Sequence, residues 1–469
     1  MVNKGSLEGL VKILEILFKV GFMLYAILSY NSLTYGTVII SLVMWPVVVV
    51  GLFLLAYRIV YFKQYITTPL IITLMAFFIS FILSTVINYQ FELKQNIING
   101  LFLAFYFFLL YANDRSVETK KVLKEFQIVS VVFLLYMFIS VAISLTFMVT
   151  GYGNVRKLAD GYEVVSGFVW GRLYGVFLDP NCGAVMACVS IYLTLFFMSK
   201  VVRKSVKALG AINILLMLSF IAFSDSRTGR LCLGITSGIY LYCFFIKRKK
   251  DGIGKWGYFR IILISVAAVA VMTSVPKGIA ISYNTVQGHL TTEHGDLDKI
   301  ERAYDLEQDP SNRRFDIWKS GIEIFNQNKF WGTSYNGIRP YARENMPQTY
   351  IVNNSQTDFK NLHNEFLNVL VSQGIIGGIL LVILVIKCCS IVFLKLFKVK
   401  TLDFPVTCVI LISLLCIGIE SMLVAAGMFY YNVPSTNLFW MYLGYLIYFL
   451  QKEDCKKYDN VNNERRHWS

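Results

Sequence analysis

Four short stretches of this chain carry residues whose types and spacing suit work on a phosphate. They are Arg172-Leu-Tyr-Gly175-Val-Phe-Leu-Asp179-Pro-Asn181, Ser224-Asp-Ser-Arg227-Thr-Gly229, Arg314-Phe-Asp-Ile-Trp318 and Leu362-His363-Asn364-Glu365. Arginine presents a planar, permanently protonated fork that matches phosphate oxygens. A neutral imidazole accepts a proton at ordinary pH, and His363 is nearly the one choice for that task. Of the other three histidines, His467 falls in the C-terminal tail, and His289 and His294 lie in the least patterned part of a long loop. Asp296 and Asp298 spell a D-x-D, as in nucleotide-sugar enzymes, but the topology below puts them on the outer side, where nucleotide sugars are absent.

The elements that must hold these residues are membrane helices. The 469 residues are 56% hydrophobic and only 16% charged, too apolar for a soluble domain of ordinary composition. Runs near the length that crosses about 30 Å of hydrocarbon occur at Val11–Tyr30, Val38–Tyr57, Pro69–Ile87, Ile97–Ala112, Phe126–Val149, Leu178–Ser199, Leu209–Ser224, Thr228–Ile246, Ile261–Val275, Phe366–Phe393, Val406–Ala426 and Asn437–Leu450. The expectation is an all-α polytopic membrane protein of about twelve spans. The formal charge of +15 belongs to topology, not to nucleic acid. Lysine and arginine collect in alternate loops, at Arg58 and Lys63, Arg115 to Lys124, Lys200 to Lys207, Lys247 to Arg260, and Lys395 to Lys400, while the short intervening loops offer only Lys94. Both termini are therefore expected on the cytoplasmic side, and the N-terminal run is read as a retained helix. The cysteines fall inside apolar runs or in the tail, which argues against a disulfide framework or a zinc site.

Five regions follow: residues 1–177 with the first five spans and an outer loop, 178–275 with spans six to nine, an outer loop at 276–365, 366–450 with the last three spans, and a cytoplasmic tail at 451–469. A loop of about ninety residues far exceeds the ordinary connection and is where chemistry is expected. Within it, Arg313 to Gln327 sets Phe315, Trp318, Ile322 and Phe325 at helical spacing, after the starter Asp309-Pro310-Ser311-Asn312. That helix is expected to lie on the membrane or cap a cavity. Glu420, an ionisable residue inside a span, is a functional candidate and a partner for one of the arginines. Glu15 and Lys19 are read as satisfying each other at i,i+4, and Gly374 with Gly378 as a close helix crossing. The plain reading of each arginine is a helix-end anchor, weakest for Arg227, which lies in a very short turn between two helices.

Taken in order, R-x-x-G-x-F-x-x-P-N, then S-R-x-G, then R-x-x-x-W with Gly332 beyond it, then His363-Asn364-Glu-Phe-Leu367 running to Gly374, the pattern resembles the O-antigen ligase and polymerase superfamily (Wzy and WaaL types) over Arg172 to Gly378. The resemblance implies a GT-C-like fold and a metal-independent, cofactor-free, inverting glycosyltransferase. It would take a glycan from undecaprenyl diphosphate at the outer face of a bacterial cytoplasmic membrane and pass it to an acceptor hydroxyl. In such a site Arg172, Arg227 and Arg314 would hold the diphosphate, and His363 with Arg314 would be catalytic. Asn181, Asn364, Glu420, Arg313 and Arg339 would support them, with Arg230 in reserve. Implied partners are the lipid-linked oligosaccharide, membrane lipid, a flippase and a chain-length regulator. A Wzy-type polymerase of capsule, O-antigen or exopolysaccharide repeats is the leading reading. A ligase of the same fold is the nearest rival, and a lipid-oligosaccharide flippase is disfavoured by the long outer loop.

Overall fold

A computed structural model describes residues 4–114, 117–158, 163–248, 254–290, 300, 313–354, 359, 361–399, 403–424, 426–429 and 432–466. His294, Asp296, Asp298, the Asp309–Asn312 starter and His467 lie outside the described residues, as does the side chain of His289.

The chain is mainly helical. In order come α1 (Lys4–Ser29), α2 (Val38–Val60), the single turn α3 (Phe62–Tyr65), α4 (Ile71–Ile87), α5 (Leu93–Phe105) running on as a π-helical turn at Tyr106–Tyr111, and α6 (Thr119–Val149). Next are α7 (Pro180–Lys200), α8 (Lys204–Phe223), α9 (Arg227–Arg248) and α10 (Lys255–Leu290). A lobe between α10 and α13 holds α11 (Arg314–Gln327) and α12 (Ile338–Asn345), and α13 (Glu365–Lys395), α14 (Phe404–Leu423) and α15 (Pro434–Arg466) close the chain. Among the described residues, nine helices are long and apolar enough to cross a membrane. The other three apolar runs fall on α1, α4 and α15. Helix α1 carries five charged side chains, α4 has only 17 residues, and α15 turns polar after Leu450.

Two boundaries differ from the hydropathy reading. Helix α10 continues through Pro276 to Leu290, beyond the end of its apolar run at Val275. The segment between α6 and α7 carries strands: β1 (Gly153–Lys157), β2 (Glu163–Val169) and β3 (Arg172–Gly175) form an antiparallel sheet in the order β1-β2-β3. The β-branched and aromatic residues of Val164-Val165-Ser-Gly-Phe168-Val169 favour strand, but seven residues are too few to register in a membrane-length window.

The lobe has its own core of Ile317, Ile324, Ile338, Ala342, Met346, Ile351, Leu362 and Val371. The buried face of α11 is Ile317, Ser320, Gly321 and Ile324. The stripe singled out by spacing is turned largely outward, with Phe315 67% and Ile322 53% exposed. Periodicity identified the helix, but two stripes of similar apolarity compete on it, and packing chose the one with small residues.

Helix α13 is interrupted where a plain helix crossing was expected. Gly374 has φ 66° and ψ −163°, outside helical geometry. The backbone groups released there are taken by the segment after α11: Thr333 N–H donates to Val371 O (3.0 Å), Ser334 N–H to Ser372 O (3.0 Å), and Ile375 N–H to Lys329 O (2.7 Å). Side chains of the N-terminal helices complete the junction. Ser84 Oγ donates to Ser372 O (2.5 Å), Asn88 Nδ2 to Gly332 O (3.1 Å) and Asn96 Nδ2 to Ser334 Oγ (3.0 Å).

Glu15 and Lys19 do not pair with each other. Lys19 Nζ meets Glu125 of α6 at 2.5 Å, and Glu15 meets Arg58 of α2 at 2.5 Å. Arg58 also donates to Phe108 O and, at 2.6 Å, to Ala112 O, carbonyls at the π-helical turn. Partners on neighbouring helices win because burial rewards complete coordination more than a solvated i,i+4 pair does.

A Cβ at Gly374 would stand 2.2 Å from Phe330 O, whereas one at Gly418 meets nothing within 4 Å. Gly374→Ala is therefore expected to destabilise the fold by about 2 kcal/mol or more, and Gly418→Ala to leave it unchanged. Thermal unfolding of the two variants in detergent checks this.

Candidate functional site

The first segment is a strand followed by a helix start. Asp179 is the N-cap of α7, its Oδ1 accepting from Asn181 N–H at 2.7 Å, and Pro180 occupies the first helical position, where its missing N–H is harmless. Asn181 Oδ1 accepts from Arg172 Nη2 (3.3 Å) and from Ser226 Oγ (3.0 Å). Arg172 Nε donates to Ser224 O at 3.0 Å. The two arginine segments are thus tied together through one asparagine and one backbone carbonyl.

The second segment is also a helix start. Ser226 Oγ accepts from Gly229 N–H at 3.0 Å. Gly229 sits where α9 meets α7, since a Cβ there would lie 2.5 Å from Ala184 Cβ. Serine caps the helix, glycine lets it approach, and Arg227 is left half-buried at the helix's first residue. Arg230 is held in an ion pair with Asp225 at 3.5 Å.

The third and fourth segments bring Arg314 and His363 to the same place. Arg314 opens α11 directly after Arg313, which is left-handed at φ 62°. His363 is also left-handed, φ 49°, with its N–H donating to Asn361 Oδ1 (3.0 Å) and its ring edge-on to Phe359 at 5.8 Å. Asn364 caps α13 by accepting from Leu367 N–H (3.0 Å), and donates to Met422 O at the end of α14 (3.2 Å). Its position is structural.

Electrostatics show which residues form one group. Burial lowers the pKa of His363, Asp179 pulls it back up and Arg314 pushes it down, so it stands below the ordinary 6.5. Burial likewise lowers the pKa of Arg314, Asp179 raises it and Arg227 lowers it, and its guanidinium stays charged at any working pH. Asp179, Arg227, Arg314 and His363 therefore share one field, and Arg172 joins them through Asn181. Arg339 does not belong to it: burial lowers its pKa, Arg343 lowers it further and Glu92 raises it.

Glu420 is fully buried, and among the described residues no arginine forms an ion pair with it. Its carboxyl faces Cys182, Asp179 and Ser435, and Glu365 is a further carboxyl neighbour. Among the described residues, no oxygen of either glutamate meets a hydrogen-bond partner in ordinary geometry. Asp179 and Glu365 are the residues that sequence reasoning left out. Each lay inside a recognised segment, Asp179 in the cap signature Asp-Pro-Asn and Glu365 directly after His363-Asn364.

The arrangement presents three cationic forks to an anion beside a neutral imidazole whose conjugate acid Asp179 would stabilise. Asp179→Asn removes the group that raises the His363 pKa, so His363 is expected to titrate at a still lower pH. The pH dependence of diethyl pyrocarbonate modification, in a variant with the other three histidines replaced by glutamine, reads that shift.

Residues 212–382 match the family model described as O-antigen ligase. The match takes in the segments of Arg227, Arg314 and His363, and leaves Arg172 to Asn181 outside. The chain is also 26% identical over 231 residues to an uncharacterized protein of Haemophilus influenzae, a match covering 49% of this chain and 54% of that protein. The alignment spans about half the length of that relative.

Proposed function

From the match of residues 212–382 to the O-antigen ligase family model, we infer a polymerase. It would extend a surface polysaccharide by joining undecaprenyl-diphosphate-linked repeat units at the outer face of the cytoplasmic membrane. What supports the reading is that Arg172 and the Ser226–Arg227 helix start are tied together through Asn181, while Asp179, Arg227, Arg314 and His363 lie near enough to act on one another's charge, which groups cationic side chains with a proton acceptor. Glycosyl transfer from a lipid diphosphate needs both parts and little else from the protein.

In the proposed step, an acceptor sugar hydroxyl gives its proton to His363 while its oxygen attacks the anomeric carbon opposite the diphosphate. The new C–O bond forms as the bond to the diphosphate oxygen breaks, inverting configuration. The electron pair leaves with undecaprenyl diphosphate, whose growing charge meets Arg314, Arg227 and Arg172. Asp179 stabilises the imidazolium, as the carboxylate of a catalytic triad does. No metal is assigned to this step.

A ligase of the same fold is the second reading, favoured by the description of the matching family. Purified protein given only lipid-linked repeats, extracted from a strain deleted for this chain, separates the two. A ladder of longer products is expected. Transfer to an added lipid A core alone would make the chain a ligase.

His363→Ala and Arg314→Ala are each expected to lower the rate by about 100-fold or more. Because the His363 pKa is lowered from 6.5, the neutral base persists above that pH. The rate should be flat from neutrality down past pH 6.5 and then fall about tenfold per unit as the base is protonated. A rate that already falls between pH 8 and 7 would remove His363 as the base.

A further inference from the structure

The turn between β2 and β3 carries a residue that turn chemistry disfavours. Val169 and Arg172 are paired across it, so the loop consists of Trp170 and Gly171 alone. Their φ angles are 52° and 68°. Two left-handed residues in succession are what a type I′ hairpin requires, and asparagine, aspartate or glycine normally fills the first position. A bulky aromatic there is a backbone outlier, and such strain persists where a function holds it.

Packing is not what holds it, because Trp170 is 63% exposed. Its ring lies T-shaped against that of Tyr174, with centroids 6.2 Å apart and planes at 78°. Tyr174 stands two residues beyond Arg172 on β3, so both leave the strand on one face. The Arg172 guanidinium lies 5.6 Å from the Tyr174 ring centre while its Nε and Nη2 reach Ser224 and Asn181. An exposed indole, a tyrosine ring and a site arginine therefore form one continuous surface.

We propose that Trp170 and Tyr174 form a sugar-stacking platform that holds pyranose rings of the lipid-linked substrate beside the arginines. The inference rests on the glycosyl-transfer reading above. One face of a pyranose is a sheet of C–H groups, apolar and faintly positive, which suits the electron-rich face of an indole. The hydroxyls at the ring's edge stay in water. A bilayer anchor explains the geometry less well. Interfacial tryptophans do that work from ordinary helix ends, and here the arginine sharing the face is turned into the site.

Two variants in nanodiscs test the proposal. W170G removes the ring and suits the left-handed backbone, so its melting temperature should be unchanged or raised. It is expected to raise KM for the lipid-linked repeat about tenfold, with kcat within about twofold, and W170F to recover most of the loss. A second arm needs no turnover: oligosaccharide released by mild acid from that repeat should quench tryptophan emission in the wild type and not in W170F.

Unchanged KM in W170G, together with equal quenching in wild type and W170F, overturns the proposal. Quenching of Trp170 by brominated phospholipid, with no response to oligosaccharide, also overturns it and assigns the ring to the bilayer. If the oligosaccharide binds through Trp170 but the wild type elongates nothing, the polymerase reading fails and the platform stands. If the wild type elongates and W170G equals it, the platform alone fails.

Discussion

Helix α13 cannot satisfy its own backbone at Gly374, and the closing of that gap by residues 329–334 is the constraint on which the rest of the structure hangs. Within hydrocarbon an unpaired N–H or C=O costs several kcal/mol, so non-helical backbone is tolerated there only when other protein groups take over. The groups that do so belong to the lobe between α10 and α13. The lobe is therefore stitched by main-chain hydrogen bonds to a membrane helix, and by Ser84, Asn88 and Asn96 to the N-terminal helices. Arg314 is carried by that lobe at the start of α11, and His363 comes just before α13 begins. Both inherit their placement from the same junction.

Arg227 is placed by the start of α9, and Arg172, on β3, is held by Ser224 and Asn181 at two helix ends. Asp179 and Ser226 cap α7 and α9, and Asn181 joins the two ends. Caps, glycines and prolines that look like local grammar thus have a collective result, because the starts of α7 and α9 are tied to each other and to Arg172 through Asn181. Asp179 serves twice, capping α7 with one oxygen and acting on both Arg314 and His363 through its charge. Without a carboxylate at the centre, three arginines would repel one another and hold the imidazole in a purely positive field.

Much of this was legible in the chain. The apolar runs each coincide with a helix because length and hydropathy are enforced by the bilayer itself. Arg172, Arg227, Arg314 and His363 could be picked out because Arg172, Arg227 and His363 stand close to the ends of apolar runs and Arg314 opens a helical pattern inside the long loop. What was hidden depends on contacts between distant segments. Gly374 reads as a small residue in a helix, and nothing local says that Lys329 will accept its neighbour's N–H. Arg339 looked equivalent to Arg314 in type and loop, yet α12 sets it among Arg343 and Glu92. Glu420 suggested an arginine partner by cost alone, and the structure gives it carboxyl and thiol neighbours instead. The sheet escaped because three short strands leave no signal at membrane length.

The buried charges of α1 have a consequence for biogenesis. Glu15 and Lys19 enter the bilayer early, while their partners Arg58 and Glu125 arrive with α2 and α6. A lone charge at the centre of a span costs about 3 kcal/mol on insertion scales, so α1 is a poor guest of the lipid on its own. Its two buried charges are matched by residues of α2 and α6, so these three helices of the N-terminal third depend on one another for charge balance.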